Sequence, residues 1–355
     1  MRWRPATVAL LCAAGLAVPP LAQAMPPPVA PAPVHSAQRF ADPSVVVTPG
    51  GLVATSTGAS TPRATAAGPA GPWTEAAPAL AALPAWASGS LIWAADLAFV
   101  ADRWVLYYSA PVLGLGADGR CIGVAVSPTA LGEFRPVGSR PLVCPRRAET
   151  RTAYDVVPGI RQTGLPRAGV IDPSLFVDQD GSLHLLYKTQ SRPSSIRVVQ
   201  LNGRGLRTAR RDGGDAQSVE ILRSDGVVEN PAVVRRGDGY VLFTSSRNFQ
   251  TCRYRTEWRR SEDLTDFSVA RRQTLLTRSR TGICGPGGAD LARRGGATVM
   301  FLHGWVCGPA PYAACPSDFN LVADRSLNPR RLMFAARLRW TDNDRPRLRS
   351  FYAPG

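Results

Sequence analysis

Lysine is almost absent from this chain: every one of its 42 basic residues except Lys188 is arginine. The arginines are spread along the sequence with no basic module interleaved with aromatics, which is the signature of compositional bias rather than of a phosphate-binding surface. A nucleic-acid partner is therefore not expected, whereas a weak attraction to acidic polymers follows from the formal charge of +16. Histidine is scarce as well, with His35, His184 and His303 far apart. No Cys-x-x-Cys pair exists, so a zinc site is not expected. No Gly-x-Ser-x-Gly element is present for a serine hydrolase of that type. The run Cys284-Gly-Pro-Gly-Gly lacks the Lys-Ser/Thr that would make it a phosphate loop. Beyond the first 24 residues no apolar run approaches the eighteen residues of a membrane span. Between Asp42 and Phe351 no amphipathic helix longer than about two turns can be drawn.

What is present begins with an export signal. Arg2 and Arg4 precede an apolar stretch from Ala6 to Val18, and Ala22-Gln23-Ala24 supplies small residues for cleavage. Cys12 follows Leu11 rather than a small residue, so no lipid anchor is expected. Residues 1–24 are thus read as a signal peptide and the protein as secreted, extracellular or periplasmic. Losing Arg2 and Arg4 takes the charge from +16 to +14. Residues 25–38 form a Pro/Ala-rich leader with no pattern to bury, and residues 39–355 are expected to make one domain and a monomer. Six cysteines remain, an even number that favours disulfides in an exported protein. The short spacing of Cys307 and Cys315 fits a clipped loop, and Cys121 with Cys144 closes one repeat. Cys252 and Cys284 are left to each other.

Five times an acidic residue opens a short apolar strand that turns tightly into a second strand. The pairs start at Asp42, Asp96, Asp172, Glu229 and, more weakly, Asp290, at intervals of 54, 76, 57 and 61 residues. Turns at 49–51, 101–102, 178–181, 236–239 and 293–296 carry the Gly and Asp that hairpin reversals require. Third strands follow near 121–127, 195–201, 253–261 and 332–340, and GPWTEAAPAL (71–80) suggests an outer strand for the irregular first repeat. This periodicity predicts an all-β fold, a five-bladed β-propeller. The closing blade is expected to mix strands from both chain ends. The five acids are read as occupying one place in each repeat, so that the symmetry gathers them. Clustered carboxylates in a funnel are the equipment of a glycosidase.

The motifs in order are Asp42-Pro43, Trp93-Ala94-Ala95-Asp96 with Tyr107-Tyr108-Ser109, Ile171-Asp172-Pro173 before Asp178-Gln179-Asp180-Gly181, Val228-Glu229-Asn230-Pro231, and the stretch from Arg331 to Pro346. Over residues 39–348 the chain resembles glycoside hydrolase family 43, five-bladed propellers that cleave arabinan, xylan side chains and related sugars. The resemblance implies an inverting glycosidase acting on α-L-arabinofuranosyl or β-D-xylosyl linkages in plant-type polysaccharides. Asp42 would be the base, Glu229 the acid, and Asp172 the charge that keeps the acid protonated and oriented. Trp93 and Asp96 are candidate substrate contacts. No cofactor is required. The family's blade-five Gly-x-Gly-His reads here as Gly285-Pro286-Gly287-Gly288, so an axial calcium is doubtful, and His303 is the alternative axial polar group. Asn230 replaces a smaller residue and is expected to alter the floor beside Glu229.

An isolated Asp-Pro is ordinary turn punctuation. Two of them at matching repeat positions, followed by a third acid, point to chemistry instead. Two other readings stay open. One is a glycosidase of a related five-bladed family acting on fructans or galactans, although fructan-cleaving relatives carry Arg-Asp-Pro where this chain has Ile171-Asp172-Pro173. The other is a carbohydrate-binding propeller without activity, which would be expected to lack one of the three acids.

Overall fold

Runs of alternating Val, Leu, Ile and aromatic residues, cut by Gly and Asp turns, fold as five antiparallel sheets in the computed structural model of the protein. It describes residues 1, 28–145, 168–211, 214–215, 218–318 and 320–355. The proposed signal peptide, apart from Met1, lies outside the described residues. Blade one consists of Ser44–Thr48, Gly51–Thr55, Arg63–Ala66 and Thr74–Ala76. Blade two has Leu91–Val100, Arg103–Pro111, Arg120–Ser127 and Arg135–Pro136, with Gly58–Ala59 added along its inner edge. Blade three has Val170–Val177, Leu183–Thr189, Ser194–Leu201 and Val219–Ser224. Blade four has Val228–Arg236, Gly239–Ser246, Arg255–Ser261 and Gln273–Leu276. Blade five has Cys284–Arg294, Ala297–Val306, Arg330–Trp340 and Pro346–Phe351. The described helix is a single turn, Arg278–Thr281, capped by Thr277.

The expectation of a closing blade shared by both chain ends is not met. The chain continues past Trp340 and supplies blade five with its own fourth strand. Blade five therefore uses consecutive strands and blade one draws only on the chain's start, passing over Gly58–Ala59, and the ring closes by packing between them. Val34 and Phe40 join Val45, Leu52, Phe301 and Met333 in one buried cluster. The leader's last residues are part of this seam: the Val34 N–H donates to the Met333 carbonyl at 2.9 Å, and that of Phe40 to Arg331 at 2.9 Å. Four similar clusters fill the other gaps, built around Trp86 and Phe134, Tyr107 and Tyr187, Phe176 and Phe267, and Phe243 and Phe334. Each fully buried Phe or Leu contributes roughly 1.5–3 kcal/mol by leaving water. The blades are thus held by apolar wedges, which leaves the inner ends of the first strands free to carry polar groups.

Three disulfides add covalent ties. Cys121–Cys144 ties blade two's third strand to the chain beyond its edge, and Cys307–Cys315 clips the loop after blade five's second strand. Cys252–Cys284 joins a blade-four turn to the start of blade five. These three bridges match the expected pairing, Cys252–Cys284 having been the pair left over. Cys252, Cys284, Cys307 and Cys315 pack together with Trp305 and Leu321.

Candidate active site

The inner strands share a local distortion that the sequence did not reveal. In blades two to five, the pairing of first and second strands slips between Trp93 and Asp96, Ile171 and Ser174, Glu229 and Ala232, and Gly287 and Asp290. Such a bulge bends the strand and re-aims its side chains. In every blade one residue at this point is left-handed: Asp42 (φ 50°), Ala94 (40°), Asp172 (56°), Asn230 (48°) and Gly288 (60°). These five are the equivalent positions of the repeat. The expectation that all five acids are equivalent is therefore corrected. Of the acids, only Asp42 and Asp172 occupy this left-handed position. Glu229 stands one residue before it, and Asp96 and Asp290 stand two residues after it.

That phase decides which way each acid faces. Residues before and at the left-handed position, including Asp42, Trp93, Asp172 and Glu229, line a funnel of about 640 Å³. Residues two further on, Asp96 and Asp290 among them, line a separate axial cavity of about 40 Å³ whose rim Asp42 and Asp172 also touch. The structure thus gathers Asp42, Asp172, Glu229 and Trp93, and leaves Asp96 out of the funnel. Asp96 is a strut: its carboxylate accepts from the Ser44 hydroxyl at 3.1 Å and the Leu175 N–H at 2.8 Å. Burial, aided by the charge of Asp290, pushes its pKa up to about 8. Asp290 accepts from the Val45 N–H at 2.6 Å, and burial raises it to about 6. Each strut links neighbouring blades at their narrowest point.

Asp42 is held as an anion. Burial would raise its pKa, but the Arg331 guanidinium at 3.4 Å, the His303 ring and the Thr57 hydroxyl at 2.8 Å outweigh that and keep it well below the usual carboxylate range. Thr57 is itself fixed by accepting from the Ala94 N–H at 2.9 Å. The Asp42 N–H donates to His303 Nδ1 at 3.1 Å. His303 is fully buried, burial lowers its pKa, and its ring lies parallel to Tyr254 with centroids 5.8 Å apart. Room for it exists because blade five carries glycine at the bulge. A Cβ on Gly288 would stand 2.6 Å from Nδ1 and 3.0 Å from the Asp42 carboxylate.

Glu229 has two partners. Lys188 Nζ, from blade three, donates to Oε2 at 2.5 Å, and the Tyr254 hydroxyl donates to Oε1 at 2.7 Å. The same hydroxyl reaches Asn230 Oδ1 at 2.6 Å. Asn230 then turns its amide nitrogen toward Asp42, at 3.5 Å, and its backbone N–H donates to Asp172 at 3.0 Å. Asn230 thus contacts Asp172 and Asp42 directly and Glu229 through Tyr254. Burial, and next the charge of Glu229, raise Asp172 to about 7. Lys188 and Glu229 keep 11% exposure each, so loss of one would strand a buried charge. Trp93 is half-buried, with the Arg120 guanidinium 3.1 Å over one face of its ring.

Lys188, Thr57, Tyr254 and Arg331 were not singled out from the sequence. Lys188 had a signal, as the one lysine in an arginine-only chain, and Arg331 sat in the closing motif. Nothing local distinguished Tyr254. The donors near the axis do not suit a calcium ion. Asp96 and Asp290 already accept backbone N–H groups, His303 Nδ1 is taken by Asp42, and among the described residues no group of three or more His, Cys, Asp or Glu converges at ligand spacing.

A funnel lined by three carboxyl groups, set in five blades, defines a propeller glycoside hydrolase in outline. The chain belongs to glycosyl hydrolases family 43, whose sequence profile matches residues 32–346. Among solved structures it is similar to a Cellvibrio cellulosa α-L-arabinanase complexed with arabinohexaose, at 19% identity and a TM-score of 0.63 over 88% of this chain and 95% of that one. It is also similar to an endo-1,4-β-xylanase from Bacteroides thetaiotaomicron (18%, TM-score 0.64, covering 89% and 97%). An exo-1,5-α-L-arabinanase from a bovine ruminal metagenomic library gives 19% and 0.61, covering 88% and 97%. At these identities the likeness is one of fold. No curated protein sequence matches the chain.

Proposed function

We propose that the protein is an exported, monomeric, inverting hydrolase of α-L-arabinofuranosyl or β-D-xylosyl linkages, with residues 1–24 as signal, 25–38 as leader and 39–355 as the catalytic domain. The arabinanases and the xylanase of like fold support this substrate class. The three disulfides among the described residues suit an oxidising compartment. The observation that carries the reading is the convergence of Asp42, Asp172 and Glu229 on one funnel. Asp42 is locked as an anion by Arg331 and Thr57, which suits a base that takes a proton from water. Glu229 is oriented by Lys188 and by Tyr254, whose hydroxyl also reaches Asn230. One hydroxyl proton of Tyr254 cannot serve Asn230 Oδ1 and Glu229 Oε1 at once. When it goes to Asn230, a protonated Glu229 completes the network by donating to Tyr254, and that proton is available to the departing glycosidic oxygen.

Asp172 modulates the acid. While ionised it opposes loss of the Glu229 proton, and its own hydrogen bond from the Asn230 N–H keeps it in place. Trp93 would pack on a sugar ring. A panel of nitrophenyl α-L-arabinofuranoside, nitrophenyl β-D-xyloside and linear arabinan tests the reading. Turnover of at least one, abolished in Asp42→Ala, is expected. Failure of purified, folded protein to hydrolyse any of them would contradict it.

A further inference from the structure

The funnel carries two cations that the proposed chemistry does not use. Its charged lining is Asp42, Asp172, Glu229, Arg39, Arg325 and Arg331. Arg331 is engaged with Asp42. Arg39 and Arg325 are exposed, and among the described residues neither has an acidic partner. They come from adjoining parts of the closed ring. Arg39 stands three residues before Asp42 at the entrance to blade one, and Arg325 lies in the blade-five loop beyond the Cys307–Cys315 clip. That loop also gives the funnel Leu321, Val322 and Pro329, an apolar wall of the kind on which a pyranose ring packs. Leu321 is fixed by burial against Trp305 and the cysteines, and by its N–H donating to the Gln250 carbonyl at 2.9 Å. The loop's inner side is thus anchored while Arg325 reaches outward.

We propose that this outer part of the funnel is a subsite for a uronic acid residue, borne by the polysaccharide next to the cleaved linkage, whose carboxylate is received by Arg39 and Arg325. The proposal rests on the glycosidase reading above and narrows its substrate class to acidic plant polymers. A guanidinium matches a carboxylate as a planar fork, with two parallel hydrogen bonds. A basic chain also draws anionic polymer toward its surface before any specific contact forms.

The test uses a glucuronate-bearing arabinoxylan oligosaccharide, a galacturonate-bearing pectic arabinan oligosaccharide, and the carboxyl-reduced form of each. Two exposed ion pairs should favour the charged form by about 2–30-fold in kcat/KM at low salt, and the preference should shrink in about 1 M salt. The member of the acidic pair that shows it identifies whether the uronate is a xylan branch or part of pectin. Arg39→Ala with Arg325→Ala should bring the ratio to about one. Arg349→Ala, which removes an exposed cation from blade five's outer strand, should leave the ratio as it was. Calorimetric binding of the same oligosaccharides reads the ratio without turnover, so a failure of the glycosidase reading stays separate. Equal affinity of wild-type protein for charged and reduced forms would overturn the proposal, as would an equal loss of preference in Arg349→Ala.

Discussion

Gly288→Ala puts the arrangement of the base under the sharpest strain that a single methyl group can apply. The backbone there has φ +60°, which costs an alanine roughly 1–2 kcal/mol. The new Cβ would lie 2.6 Å from His303 Nδ1, 2.8 Å from its Cε1 and 3.0 Å from Asp42 Oδ1. His303 is fully buried and stacked on Tyr254, so it moves only by displacing packed neighbours, at about 1–3 kcal/mol. Its movement also breaks the bond from the Asp42 N–H, worth about 1 kcal/mol. The loss is therefore about 3–6 kcal/mol, shared between folding and the placement of Asp42. A displacement of about 1 Å at a reacting group lowers turnover on the order of 10²-fold. Gly295→Ala is the matched control. It carries a similar φ of +53° in a hairpin turn, but its Cβ would meet nothing within 4 Å. Urea denaturation and kcat on an aryl glycoside should show both variants destabilised and only Gly288→Ala slowed. A folded Gly288→Ala enzyme with kcat within about threefold of wild type would refute the role assigned to the His303–Asp42 contact.

Glu229→Ala should lower kcat by roughly 10²–10⁴-fold on substrates with poor leaving groups and far less on a dinitrophenyl glycoside, which needs no proton. Equal losses on both would remove Glu229 from the acid's role. Asp172→Asn should lower the rate and move the alkaline limb of the pH–rate profile to lower pH. The reason is that the ionised carboxylate, present above about pH 7, no longer opposes loss of the acid's proton; an unmoved limb would refute this. Asp96 and Asp290 have folded-state pKa values raised to about 8 and about 6. The native state then holds protons that the unfolded chain has released, so their contribution to stability is full below about pH 4 and is lost as pH rises through 6 to 8. The urea midpoint should fall between pH 5 and 9 and fall less in Asp96→Asn. A wild-type slope in that variant would mean that Asp96 is not the group responsible.

The ring of blades was legible because hairpin turns and alternating strands leave a local trace at a regular period. Asp42 and Asp172 were legible for a related reason: each of these left-handed residues is followed by a proline. The phase of the remaining acids was not. A bulge sets two residues against one, so Glu229 and Asp96 look equivalent to Asp42 when repeats are aligned by their acids, yet they face different compartments. The partners of the acids were hidden too. Lys188, Tyr254 and Arg331 reach Glu229 and Asp42 across 41, 25 and 289 residues. Only the closed ring brings them together. The seam was misjudged because Pro346–Phe351 reads as a charged tail, with alternate residues exposed, until Trp340 and the blade-five strands give it something to pair with.

In the proposed mechanism Asp42 on blade one and Glu229 on blade four act on opposite faces of the sugar, with a water between Asp42 and the anomeric carbon. Proton NMR of the first-formed sugar, recorded before mutarotation during hydrolysis of an arabinofuranoside or xyloside, tests this most directly. The account predicts that the product appears with the anomeric configuration opposite to that of the substrate. A product that first appears with the substrate's own configuration would contradict it.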